Sequence, residues 1–417
     1  MKSPADIRVL TSGASHFFGF HDLTPWNTHT DELVCLRTSV AEDHIPTHND
    51  EAEVVVVNEA DGAVTPVGCT RAWNWQKGAR QRWLPALGRR VIAYNAANAI
   101  GFECRIVNLD TGKERALPLA LYDICAQQEF GLTLDFRRLV SCQPGYGYEH
   151  PTPMAQVDYE RDGIIRVEIA TGRSRLILSI GDLLRVRRLD PSLGEHYFTH
   201  IQISPDGQRF AFMHRCLLRS GMVSSFIVAR TDGSALRVLL DDKMSHFDWR
   251  DNNHVTVWCR KNTAIKKLKE SKFLALARVL YRLSRKIRMN AVRQGLYNES
   301  FREIDVNTGE SVAVGKGVLT EDGHPQMNPV HPEIWINDTY PTPEHVQTLM
   351  LYHQPNNRRV DLLRLATPPN IQETCWRCDF HPRWHPRGER VCFDSAHIGR
   401  RQLCVLFVSD ELGELLR

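Results

Sequence analysis

Long apolar runs are absent. No stretch reaches the roughly 20 residues needed to cross a bilayer, so no transmembrane helix is expected. The first residues, Met1-Lys2-Ser3-Pro4-Ala5-Asp6, lack the apolar centre of an export signal, and a cytoplasmic location is expected. There is no GxGxxG or P-loop pattern, which argues against a nucleotide cofactor. Paired metal-binding cysteines are missing too. Cys375-Trp376-Arg377-Cys378 is a lone CxxC, and a zinc site of that type wants a second pair. The eleven cysteines are odd in number and irregular in spacing, which implies reduced, buried thiols.

Basic character is scarce outside one segment. Arg260 to Arg293 holds twelve Lys/Arg against the single acid Glu270, a net +11 that leaves −8 for the remainder of a +3 chain. With no nucleic-acid module and an acidic remainder, nucleic acid is not an expected partner.

What the chain does contain is repetition. Glu59-Ala60-Asp61-Gly62, Asp110-Thr111-Gly112, Ala170-Thr171-Gly172, Thr231-Asp232-Gly233 and Asn307-Thr308-Gly309 follow strand-like runs such as Val54-Val55-Val56-Val57. Asx and Gly suit the positive φ of such hairpin turns. A second form, strand-turn-strand, is clearest from Ile201 through Ser204-Pro205-Asp206-Gly207 to Phe212, and recurs from Arg383 to Phe393. Together the two forms make a four-stranded unit, which buries its faces by radial stacking. Seven units start near residues 17, 80, 121, 197, 245, 323 and 380, and Ile7-Arg8-Val9-Leu10 can complete the last. The expected fold is all-β: one seven-bladed propeller over residues 1–417. Residues 262–294 read instead as a basic helix inserted in the fifth blade, with Phe273, Leu276, Leu280, Leu283 and Ile287 on one stripe. The stripe needs a cover: the propeller's own side, a second subunit, or an anionic membrane surface.

Aligning the units on the second turn places histidine four residues before it in four successive units, at His200, His246, His324 and His381. The same count gives Gln81 in the second unit, about Tyr122 in the third, and Phe20 beside His21 in the first. These positions open the innermost strands, so they should ring one mouth of the channel. Such a ring is either a structural belt or a metal or catalytic cluster. Convergent imidazoles suit Mn²⁺, Fe²⁺ or Zn²⁺. Strand alternation sets Asp379, His381 and Arg383 on one face, where Asp379 and His381 reach one metal and Arg383 clamps an anionic substrate.

At these residues the chain resembles the oligogalacturonate lyases, seven-bladed propellers of the TolB-like and WD40-like group. The motifs that carry the resemblance are His200 to Gly207, His214-Arg215, His324 with Asn337-Asp338, and His381 through Phe393-Asp394-Ser395. The family binds a divalent metal through late-blade histidines and a glutamine, and cleaves uronate oligosaccharides by β-elimination. The resemblance implies His324 and His381 as ligands, with Mn²⁺ favoured. Asp379 stands where the family has another histidine, and about Trp376 where it has the glutamine. Arg215 resembles the family's basic residue, and His200, His246 or Tyr122 would serve as the acid. His246 is also a possible further ligand.

Gln143-Pro144-Gly145-Tyr146-Gly147-Tyr148 offers two tyrosines that either stack on sugar rings or pack a turn, and Gln81 and His21 join them as substrate-binding expectations. Trp73 and Trp75 read as interblade wedges, and Asp43, His44, His48 and Asp50 as a surface loop. Two functions follow: a metal-assisted lyase acting on an acidic, uronate-containing oligosaccharide or polysaccharide, or a non-catalytic propeller that binds an acidic glycan or a protein partner.

Overall fold

The computed structural model describes residues 2–417 apart from 153, 155, 220, 261–298 and 372. The described residues form seven separate four-stranded antiparallel sheets. Blades 1 to 6 are continuous in sequence and span 15–70, 82–117, 123–179, 195–240, 244–314 and 326–366. Blade 7 takes three strands from Arg383–Phe407, and its outermost strand is Arg8–Val9, paired as Arg8↔Val405 and Val9↔Cys404. The ring therefore closes by joining the two ends of the chain, as the sequence led us to expect. The helical insertion expected over 262–294 lies outside the described residues.

The recurring turns join the third and fourth strands of blades 1 to 5. Gly62, Gly112, Gly172, Gly233 and Gly309 all hold positive φ there, between 68° and 93°. A side chain is costly in that region of backbone space, which is why the repeat spells glycine at this place. Between blades, alternating strand residues form apolar layers. One cluster joins Ile336, Leu349 and Leu363 of blade 6 to Trp384, Val391 and Phe393 of blade 7. Nine of the eleven cysteines are buried.

Trp73 and Trp75 pack edge-on against each other at 4.9 Å, and their rings lie tilted 6.0 and 5.2 Å from Phe17. They lie on the connection between blades 1 and 2 rather than on a strand. Asp43, His44 and Asp50 pair among themselves on a polar loop, and His48 pairs with Glu149.

Candidate functional site

The four register histidines converge on the axis. Ring centroids are 6.1 Å apart for His200 and His246, 4.2 Å for His246 and His324, and 4.3 Å for His324 and His381. The backbone helps aim them. His200 and His381 take left-handed φ of 55° and 45°, and the blade-4 and blade-5 strand pairings slip at Thr199/Gln202 and Met244/Phe247. Such bulges redirect a side chain at a strand end. Phe20 fills the centre, with its ring 5.4, 5.7 and 5.3 Å from His200, His246 and His381. His21 lies beside it, 4.9 Å from His246 and 5.4 Å from His324, and both its ring nitrogens are buried without a hydrogen bond.

His324, Asp379 and His381 each bring one ligand atom within 4.8 Å of the other two. Both imidazoles have a fixed tautomer. Nδ1–H of His324 donates to Asp338 at 2.8 Å, and Nδ1–H of His381 donates to the Gly19 carbonyl at 2.7 Å. Each Nε2 is left buried, unpartnered and carrying a lone pair. Gly19 can present its carbonyl there because it has no Cβ: at φ +105° a Cβ would sit 2.8 Å from the Lys77 carbonyl. Burial pushes His324 down to about 4 and His381 down to about 3, so both are neutral at physiological pH. Burial alone would raise Asp379, but the bidentate Arg377, at 2.6 and 3.0 Å, outweighs it and holds the carboxylate at about 2. Two imidazole lone pairs and one carboxylate are a donor set that fits a divalent cation such as Mn²⁺, Fe²⁺ or Zn²⁺. His246 stands outside this set. Its Nδ1 meets Ser245 Oγ at 2.9 Å and the Tyr340 hydroxyl at 3.1 Å.

On the blade-3 and blade-4 side, Tyr146 comes within 5.8 Å of the His200 ring and 6.0 Å of Phe20, and is partly exposed. Burial pushes Lys77 and His200 well below their ordinary pKa values, and the charge of the buried Arg215 adds to both shifts. Lys77 is wholly buried, with its Nζ on the Tyr122 hydroxyl and 4.0 Å from the centre of the Phe20 ring. Asn74 fixes it: Asn74 Oδ1 accepts the Gln76 and Lys77 backbone N–H groups, while Asn74 Nδ2 donates to Gly147 O. One side chain thus ties the turn that carries Lys77 to the loop that carries Tyr146.

Some expectations need correction. Gln81 is not on the ring. Its amide accepts from Ala79 N–H and donates to Phe18 O. The equivalent of Ser204, whose N–H bonds to Arg209 O, is Leu84, bonded to Val91 O. Four residues back from Leu84 is Arg80, with φ 55° like His200, and it holds Asp22 at 2.7 and 2.9 Å. The same bond count gives Leu121 in blade 3, and Leu23 in blade 1. Tyr122 and Phe20 still reach the centre, from one and three residues away. Tyr148 does not reach it. It stacks on Phe136 at 4.4 Å, and its hydroxyl lies 3.3 Å from Asn95 Nδ2. Arg383 sits one tier deeper than His381, its NH1 3.7 Å from Asp248, which places the expected clamp below the histidines. The sequence reading passed over Lys77, Arg80, Asp22, Tyr340 and Arg377. Arg80 holds the histidine register in blade 2, while Lys77, Asp22, Tyr340 and Arg377 do not share it and reach the axis through the folded connections.

No protein-family model matches the sequence, and no curated protein matches it. Solved structures do. An oligogalacturonate lyase from Vibrio parahaemolyticus aligns over 97% of this chain and 94% of its own, with a TM-score of 0.63 and 12% identity. An oligogalacturonate lyase in complex with manganese aligns over 96% and 92%, with a TM-score of 0.61 and 12% identity. TolB from Acinetobacter baumannii aligns over 76% and 60%, with a TM-score of 0.40 and 12% identity. At these identities the likeness is one of fold.

Proposed function

We propose that the chain is a metal-assisted, lyase-like enzyme that cleaves a uronate-containing oligosaccharide or polysaccharide by β-elimination. The observation that carries this reading is the trio His324, Asp379 and His381, with two buried Nε2 lone pairs unspent. The manganese complex of an oligogalacturonate lyase with the same fold supports Mn²⁺ as the ion.

β-Elimination asks for a cation at the uronate carboxylate, a base for the neighbouring C–H proton and an acid for the leaving oxygen. A divalent ion on His324, Asp379 and His381 supplies the first by drawing charge from the carboxylate. His200, whose ring lies 5.4 Å from Phe20, moves the proton. Arg215 adds positive charge near it. Tyr146, partly exposed, is the ring on which a sugar would stack. Tyr340 and Arg377, in cation–π contact at 4.3 Å, line the mouth beside Asp379.

The test is an ultraviolet absorbance screen for unsaturated uronate over pectic, alginate-type and glycosaminoglycan-type oligosaccharides with Mn²⁺ present. The expected result is a metal-dependent rise on one substrate class that His381→Ala abolishes. No rise on any uronate, with metal bound, overturns the reading.

A non-catalytic propeller that binds an acidic glycan or a protein partner is the second reading. The grip of Arg377 on both Asp379 oxygens favours it, because the guanidinium competes with a metal for the same lone pairs.

A further inference from the structure

His200 is not an isolated imidazole. Its Nδ1 lies 3.0 Å from Thr199 Oγ1. The Thr199 hydroxyl sits beside the Tyr122 hydroxyl, which accepts the His200 backbone N–H at 2.9 Å. The far side of the Tyr122 hydroxyl meets Lys77 Nζ. Lys77, Tyr122 and Thr199 are fully buried, and His200 is 4% exposed. Four proton-bearing groups on blades 3 and 4 and the connection before blade 2 thus form one chain, with His200 Nε2 left for a molecule in the funnel.

Lys77 is an unusual end for such a chain. Among the described residues it makes no ion pair. The acid whose charge it feels most is Asp22, and both Asp22 oxygens are taken by Arg80. Arg80 and Arg215 face it with like charge, and His200 and the rings of Phe20, Tyr122 and Tyr146 surround it. An ammonium so placed is desolvated with a hydroxyl and aromatic rings around it but no counter-ion, which favours the neutral amine. A neutral amine has a lone pair to accept a proton.

We propose that Lys77, Tyr122, Thr199 and His200 form a buried proton relay, with His200 Nε2 as its substrate end and Lys77 as its proton store. The proposal rests on the funnel being a proton-transfer site, and it adds the path that the proton follows. The step balances. Nε2 takes the proton of the substrate C–H bond, whose electron pair forms the new double bond as the C–O bond breaks. Nδ1–H passes its proton to Thr199 Oγ1, Thr199 passes its own to Tyr122, and Tyr122 passes its own to Lys77, which becomes the ammonium. The reverse run returns one proton to the leaving oxygen. Lys77, Tyr122 and Thr199 act through His200 and are positioning residues.

The test reads the His200 ring by nitrogen NMR in histidine-labelled full-length protein, without substrate. The relay direction requires the Nδ1–H tautomer in the unaltered protein. Tyr122→Phe removes the acceptor for the Thr199 proton, so Thr199 turns to donate to Nδ1 and the ring switches to Nε2–H. Thr199→Val removes the Nδ1 partner and the tautomer preference with it, and Thr199→Ser restores both, which keeps the test open if the tyrosine variant misfolds. An Nε2–H ring in the unaltered protein, or one unmoved by Tyr122→Phe and Thr199→Val, overturns the relay. On a cleaved uronate, Lys77→Met should lower kcat about 100-fold with KM unchanged. An unchanged kcat overturns the relay as well. If no uronate is cleaved but the tautomer switch occurs, the lyase reading falls and the relay stands.

Discussion

Nδ1 of His324 stands 2.8 Å from Oδ1 of Asp338, and Oδ2 of the same carboxylate accepts the His381 backbone N–H at 3.3 Å. One buried acid therefore orients the His324 imidazole and anchors the His381 backbone. Burial pushes Asp338 up to about 7, and three histidine N–H groups, the His324 ring and backbone and the His381 backbone, are what it has in place of water. Asp338→Asn should keep the fold and weaken Mn²⁺ binding about 10- to 100-fold, as loss of a partner behind a metal-ligating histidine typically does. Calorimetric titration of the variant measures it.

Asp379 is the ligand that sets the charge of the trio. Asp379→Asn keeps its shape and removes the anion, so Mn²⁺ affinity should fall at least as far as in Asp338→Asn. The freed Arg377 should leave the thermal midpoint lower in the metal-free variant than in the metal-free parent, because a buried guanidinium loses its partner. Differential scanning calorimetry of the two metal-free proteins checks this.

The loop tyrosines separate cleanly. Tyr146→Ala removes a ring at the funnel and should raise KM on any cleaved oligosaccharide, or weaken glycan binding, by about 10-fold. Tyr148→Phe removes only the contact to Asn95, at a cost of about 1 kcal/mol in stability, and should leave binding unchanged. Steady-state kinetics or glycan titration on both variants distinguishes them.

Acid should destabilise the protein in a defined window. Burial, followed by the charge of His196, pushes His214 down to about 3, and burial holds His21 and His200 well below their ordinary value. Groups with a lowered folded pKa contribute fully above the unfolded value of about 6.5, and that contribution is lost as pH falls from there toward about 3. The thermal midpoint of metal-free protein should drop steadily below about pH 6.5, and His214→Gln should flatten part of the drop. A midpoint that is level across the window in the unaltered protein contradicts the assignment.

The fold was legible because the propeller repeats its chemistry. A glycine at positive φ in five outer hairpins, and the Ser204-type turn of the inner strand, recur with the unit, so strand order and ring closure followed from the pattern. The late-blade histidines were legible for the same reason, since His200, His246, His324 and His381 share one register. Blades 1 to 3 were not. Leu84 and Cys125 replace Ser204 there, and the turn after Leu84 is two residues longer, so the same count from the turn falls on Gln81 and Tyr122. Lys77 and Arg377 sit on connections with no repeat at all. Only hydrogen bonds between distant segments, such as Asn74 to Gly147 and Gln76 to Arg377, set them on the axis.

The central claim is that His324, Asp379 and His381 together hold one divalent cation for chemistry in the funnel. Titration of metal-free protein with Mn²⁺, followed by calorimetry on the parent and on His324→Ala, Asp379→Asn and His381→Ala, tests it most directly. The account predicts one site per chain in the parent, lost or greatly weakened in all three variants. No binding in the parent, or equal binding in parent and variants, would contradict it.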